Sequence, residues 1–393
     1  MSAILEGVRI LDFGRYIAGP LCAAMLGDLG AEVIRVERPG GGDDRFLMPA
    51  TADGEGAMFL QSNRGKQGVT LDIATPEGKA IARKLIATSD VVVANFSPGA
   101  LRHLELDYAS LSAIRPDIIL TSISAFDSRS EARDAVGFDG IGQAISGAIY
   151  LSGEPGRPYR SAASYVDFST AMAAAYGTLA AIIRRMKTGM GTQVEATLAG
   201  TALNIMNPIL IEQSTGSNIR VPTANRSPIA GPSDIFAAND GWFIMQVIGQ
   251  AMFKRWTRLV DRADLLDDPR FADDILRGRN GEALSEIMAV WAATRSCDEC
   301  VAQLAAAGLA ASPLLTPADI IGGRMGLAGT YFDAFDYPGA DAVPIAAPAA
   351  RLLSEEKAPP RRPPLAGEHN RAVFGEIGLT ASDIDALRKT GII

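Results

Sequence analysis

Residues 8–37 read VRILDFGRYIAGPLCAAMLGDLGAEVIRVE, and this stretch decides the fold. Val8–Phe13 is an apolar run of strand length. Pro20–Leu29 reads as a helix, with Pro20 in the first turn, where a missing N–H costs nothing, and Gly30 as the stop. Ala31–Val36 is a second apolar strand. Strand, helix and strand in one stretch make a βαβ unit. Its crossover helix brings the second strand back parallel to the first.

Outward from this unit the alternation continues. Gly68–Ile73 is a third strand. Thr75-Pro76-Glu77 opens a helix to about Thr88, with Thr as N-cap, Pro at the first position and an acid at the positive end of the helix dipole. Val91-Val92-Val93 and Asp117–Ser122 are two more strands. Phe168–Lys187 begins crowded with Ala, Gly and Thr, as a closely packed buried helix would. Gln193–Leu198 follows as a strand, then a helical stretch to about Gln213. The pattern predicts an α/β fold, with a Rossmann-like parallel sheet in a large domain of residues 1–215 plus 335–393. A smaller α/β domain is expected over 230–325. It opens on a hairpin, Asp234–Ala238 and Trp242–Val247 about Asp240-Gly241. Linkers fall at about 216–229 and 326–365, and prolines crowd 335–366 too densely for a regular element. A short amphipathic helix at about 380–389 closes the chain.

Composition limits the function. The chain is 48% hydrophobic and 21% charged, an ordinary soluble balance. A net charge of −8 and a pI of about 5.0 argue against a nucleic-acid partner. No uninterrupted run approaches the ~20 apolar residues of a membrane span, and the N-terminus lacks a secretory pattern. Three cysteines, Cys22, Cys297 and Cys300, fit a reducing cytoplasm. Two histidines, His103 and His369, are too few for a His-rich metal site, and no metal is expected. Cys297-Asp298-Glu299-Cys300 follows Ser296, which with Glu299 spells a capping box rather than a redox pair. The first strand–helix turn, Gly14–Gly19, lacks the GxGxxG spacing of dinucleotide binders. Gly40-Gly41-Gly42 reads as a mobile loop.

An ordered set of short motifs runs along nearly the whole chain. They are Arg15-Tyr16-Ile17-Ala18-Gly19-Pro20, Leu26-Gly27-Asp28-Leu29-Gly30-Ala31-Glu32, Asn63-Arg64-Gly65-Lys66 and Val69-Thr70-Leu71-Asp72. Asn95-Phe96-Ser97-Pro98-Gly99, Gly137-Phe138-Asp139, Gln143-Ala144, Tyr165-Val166-Asp167, Lys187-Thr188-Gly189-Met190-Gly191 and Gly367-Glu368-His369 follow. In this order the set resembles the class III coenzyme A transferase family, which also contains the α-methylacyl-CoA racemases. The resemblance implies coenzyme A as co-substrate, an acyl-CoA and a small carboxylic acid as partners, and an interlocked homodimer. It implies Asp167 as covalent nucleophile and Asp139 as a second active-site carboxylate. It also implies that Arg15, Ile17, Arg38, Leu71, Ile73, Asn95, Phe96, Ser97, Arg102, His103 and Val136 line the coenzyme A groove.

The chain departs from the formyl-CoA transferase pattern in several places. Ala74, His103 and Val136 occupy positions expected to be basic or phosphate-facing. Ile17 replaces a Gln, and the active-site glycine loop is missing from Ser227–Ile235. Arg102, Arg64 or Lys66 are the cations left to compensate. Phe138 stands where the racemases carry a His, so a two-base proton shuttle lacks a partner. The expected activity is coenzyme A transfer through aspartyl intermediates. The alternatives are racemisation or isomerisation at the α-carbon, and a coenzyme A-binding protein without catalysis. Taken alone, Asp167 reads as a helix cap.

Overall fold

The computed structural model describes residues 3–354 and 359–393. The chain forms two compact units. One takes the chain up to Ser146, Ser161–Met206 and everything from Gly329; the other takes Gly147–Arg160 and Asn207–Ala328.

The first unit is built on a six-stranded sheet: β1 (Arg9–Asp12), β2 (Glu32–Glu37), β3 (Gln67–Thr70), β4 (Val91–Ala94), β5 (Ile119–Ser124) and β6 (Thr192–Thr197). Helix α1 (Ala18–Asp28) joins β1 to β2. The spatial order is β3-β2-β1-β4-β5-β6, and every neighbouring pair is parallel. The order reverses between β1 and β4, so the loops leaving their carboxyl ends diverge and open a crevice. All four residues of β4 are buried, as a parallel strand covered on both faces requires. Leu11, Val69, Leu85, Val92, Leu120 and Phe374 form the core on one face. Ile10, Leu21, Leu26, Val33, Val93 and Ala174 form it on the other.

The long helix Tyr165–Thr188 lies in this second core. Thr170, Ala171, Ala174, Ala175 and Thr178 are its buried side. Small residues let its backbone approach α1 and β5, and the Thr170 and Thr178 hydroxyls donate to carbonyls one turn back, both at 2.7 Å. By length and mean hydropathy it is long and apolar enough to cross a membrane. Its apolar stretch is bounded by Asp167 near one end and by Arg184 and Arg185 near the other, so it makes no uninterrupted apolar run of spanning length.

The proline-rich stretch corrects one expectation. Phe332–Tyr337 and Ala340–Ala346 pair as an antiparallel hairpin. Pro338-Gly339 makes the turn. Pro344 lies opposite Ala334 in a sheet of two strands, where each strand has a free edge that tolerates a missing N–H.

The second unit holds a three-stranded antiparallel sheet of Ser233–Ala237, Trp242–Gln246 and Ala310–Pro313. Its core is Phe236, Phe243, Trp256, Leu284, Met288 and Leu304. The capping box of Ser296 and Glu299 forms as expected. Burial pushes the Cys297 and Cys300 thiols up, away from the reactive thiolate.

Candidate active site

The loop leaving β1, Gly14–Ile17, sits at the point where the sheet order reverses. Its backbone is gripped residue by residue. The Asp12 carboxylate accepts from Gly14 N–H at 2.8 Å. Asn95, just past β4, accepts from Arg15 N–H and donates to Arg15 C=O, both at 2.7 Å. Asp44 accepts from Tyr16 N–H at 3.2 Å. Tyr16 thereby takes a left-handed φ of 63°. The two glycines flanking this loop serve packing rather than phosphate. A Cβ on Gly19 would lie 2.9 Å from Gly14 Cα and 3.3 Å from Asn95 Cγ.

Beneath the loop lies a buried set of ion pairs. Lys66 Nζ donates to Asp12 at 2.7 Å, Pro20 C=O at 2.7 Å and Asn63 at 2.9 Å. Arg35 pairs with Asp44 at 2.8 Å, and Arg45 with Glu37 at 2.6 Å and Glu55 at 2.8 Å. Burial lowers the Lys66 pKa to about 8 against the pull of Asp12. Arg64 is held by Asp28. Lys66 and Arg64 are therefore not spare cations for a nucleotide. Their partners are 54 and 36 residues away in sequence, so no local pattern reveals the pairing.

The other groove candidates gather at the carboxyl ends of the strands. Arg38 follows β2, is exposed, donates to Gly41 C=O at 3.0 Å and pairs with Asp43. The triple glycine is thus an ordered turn, closed by Gly41 N–H on Arg38 C=O at 2.9 Å. Leu71 and Ile73 follow β3. Leu71 is buried in the core; its N–H donates to Glu37 C=O at 2.6 Å and its carbonyl accepts from Ile73 N–H at 3.1 Å. Phe96 packs on the core, and Ser97 caps the short helix Pro98–His103 by accepting from Ala100 N–H at 3.3 Å. Arg102 and His103 are exposed in its last turn. Ile17 is buried at the start of α1, and Val136 lies 82% exposed in the loop after β5. Among the described residues Arg15 and Arg102 make no ion pair.

The two candidate carboxylates meet at a helix start. Asp139 opens the helix Asp139–Ile145 and is buried. One of its oxygens accepts from Val166 N–H at 2.8 Å and Asp167 N–H at 3.2 Å. The other accepts from the Gln143 amide at 2.5 Å. Gln143 Oε1 in turn accepts from Ser161 N–H at 3.1 Å. Ser164, at the N-cap position of the long helix, makes no side-chain cap bond, so Asp139 caps that helix from another one. Asp167 is not the cap; it lies inside the first turn. Among the described residues nothing hydrogen-bonds to its carboxylate, which is partly exposed. Burial, and then the Asp139 charge beside it, push its pKa up to about 7. In the sequence Gln143 is one residue of a motif with no role of its own. Its signal was the four-residue spacing from Asp139 on one helix face.

A doubly wound parallel sheet, with a crevice at its switch point and a partly exposed carboxylate at a helix start of the same unit, defines an α/β protein built to hold a ligand at the carboxyl ends of its strands. The pattern that defines CoA-transferase family III matches residues 5–370, and the chain belongs to that family. It is similar to a CAIB/BAIF family protein from Brucella suis, with a TM-score of 0.84 and 29% identity, covering 96% of this chain and 100% of that one. It is 31% identical to the succinyl-CoA–D-citramalate CoA-transferase of Chloroflexus aurantiacus, over 99% of this chain and 98% of that protein. It is 30% identical to the succinyl-CoA:glutarate CoA-transferase of Mus musculus, over 95% of this chain and 86% of that protein. The protein is an enzyme of the CoA-transferase kind, with coenzyme A as co-substrate.

Proposed function

We propose that the enzyme moves coenzyme A from an acyl-CoA thioester to a small carboxylic acid through covalent intermediates on Asp167. The observation that carries this is the Asp167 carboxylate itself. It is partly exposed and, among the described residues, unbonded, while its neighbour Asp139 takes the helix-start N–H groups. An Asp167 oxygen attacks the thioester carbonyl, the C–S bond breaks, and coenzyme A thiolate leaves a mixed anhydride. The thiolate attacks the Asp167 carbonyl of that anhydride and releases the donor acid, which carries away one Asp167 oxygen. The acceptor carboxylate attacks the resulting aspartyl thioester and expels the thiolate. The thiolate then attacks the acceptor carbonyl, giving the new acyl-CoA and restoring Asp167 with an oxygen from the acceptor. One difficult exchange becomes four easier ones.

Electrostatics favour the covalent states. Acylation removes the Asp167 charge from beside Asp139, so repulsion present in the resting enzyme is relieved as the bond forms. A pKa near 7 makes this carboxylate more basic than an ordinary one, yet about half ionised at neutral pH. The positive end of the helix dipole favours the oxyanion that develops there.

Arg15 and Arg102, without an ion pair among the described residues, supply cationic contacts for coenzyme A phosphates. Both relatives are named for succinyl-CoA, so we infer a dicarboxylic acid exchange. Met172, Tyr176, Ile183 and Met186 are exposed along one side of the long helix, apolar surface that suits contact with a second copy in a homodimer. Three free thiols fit the cytoplasm.

The test is trapping. The enzyme is incubated with an acyl-CoA, quenched with hydroxylamine or borohydride, digested and weighed. A modified Asp167 peptide is expected. An unmodified peptide, together with α-proton exchange in heavy water, would replace transfer by isomerisation.

A further inference from the structure

Tyr16 is a bulky residue in a left-handed conformation, which costs energy and persists only where surrounding contacts over-determine it. Here they do. Asp12, Asn95 and Asp44 hold three successive N–H groups of the loop. Two of these acceptors are themselves fixed, Asp12 by Lys66 and Asp44 by Arg35. What the strained backbone achieves is the placement of one ring. Tyr16 meets Phe138 edge to face, with centroids 5.9 Å apart and planes at 87°, the geometry in which aromatic pairs attract beyond their buried area. Phe138 is otherwise 59% exposed. Its carbonyl accepts from Ile141 N–H at 2.8 Å to start the helix, and the next residue is Asp139, whose carboxylate holds the N–H groups of Val166 and Asp167.

We propose that the Tyr16–Phe138 ring contact is a positioning latch. It ties the switch-point loop, which reaches coenzyme A, to the helix start that sets the Asp167 carboxylate. Tyr16 and Phe138 are positioning residues: they act through Asp139 rather than on the reacting atoms. The inference rests on the proposed role of Asp167 and adds a route by which the loop's position reaches it. Because the contact pairs one ring with one ring, losing either ring loses the whole of it.

A double-mutant cycle tests this. Tyr16→Leu, Phe138→Leu and the double variant are made in the full-length enzyme. Three quantities are measured for each: adduct formation at Asp167 in a single turnover, steady-state transfer, and coenzyme A affinity by calorimetry. Each single variant should form the adduct about three- to tenfold more slowly, as loss of one aromatic contact predicts. The double variant should be no slower than either single, and coenzyme A affinity should hold. Tyr16→Phe, which retains the ring, should retain the coupling. Additive losses in the double variant, unchanged rates in the singles, or a loss confined to coenzyme A affinity would each overturn the latch. If the unsubstituted enzyme forms no adduct at Asp167, the nucleophile reading fails. The latch then stands or falls on the same non-additivity in steady-state transfer.

Discussion

Two groups of carboxylates belong to the parallel-sheet unit and are built on opposite principles. Under the β1 loop, Asp12, Glu37, Asp44 and Glu55 each have a cation, and Lys66, Arg35 and Arg45 are buried with them. At the start of the long helix, Asp139 takes two backbone N–H groups and one amide, Asp167 takes none, and among the described residues neither has a cation within ion-pair reach. The first arrangement balances charge and fixes a backbone. The second leaves one carboxylate unbalanced. A half-buried carboxylate with no partner, beside a second carboxylate, costs stability, so a fold that keeps one keeps it for chemistry.

The largest effect expected from breaking this contrast is on turnover. Asp167→Asn should cost roughly a thousandfold or more in transfer rate while the protein stays folded. It should also stabilise the fold at pH 8. A carboxyl whose pKa rises on folding binds its proton more tightly folded than unfolded, so native stability falls as pH climbs from about 4 to about 7. The variant lacks that loss. Its advantage should grow across that window and level at about 1–2 kcal/mol, discounted for solvent at a partly exposed group. Urea melts at pH 5 and pH 8 give both numbers.

The paired group should fail in the other way. Lys66→Met removes the closest cation of buried Asp12, leaving it Arg35 at 3.7 Å and the Gly14 N–H, a loss of up to roughly 3–5 kcal/mol in unfolding free energy. Adding Asp12→Asn should recover part of it. Asp139→Asn keeps an acceptor for the helix N–H groups but removes the charge. The Asp167 pKa should then fall only part of the way back, because burial, the larger cause, remains, and the acid limb of the pH–rate profile should move down by the same amount. In the unsubstituted enzyme that limb should rise through about pH 7. Smallest of all, Arg38→Ala removes an exposed, surface-paired cation and should raise the KM for acyl-CoA by no more than about fivefold.

The sheet was legible because each strand is a short apolar run between turn signals, and β1 to β4 need no distant information to be recognised. The hairpin Phe332–Ala346 was not legible, because proline counts argue against strands unless the pair is known to have free edges. The site was half legible. Asp167 and Asp139 came from motif order, yet sequence alone reads Asp167 as a helix cap. The true cap lies 28 residues earlier on another helix, and nothing local announces it. The same holds for Lys66: its charge invites a phosphate until folding places Asp12, Asn63 and Pro20 around it.

The central claim, that Asp167 itself carries the transferred group, is tested most directly by following oxygen. The enzyme turns over with an acceptor acid whose carboxylate carries heavy oxygen, and the Asp167 peptide is then weighed. Covalent transfer through Asp167 predicts heavy oxygen in that peptide and, after further turnovers, in the released donor acid. Heavy oxygen in the donor acid with none in the Asp167 peptide would mean that the acceptor attacks the thioester directly, and the account would be wrong.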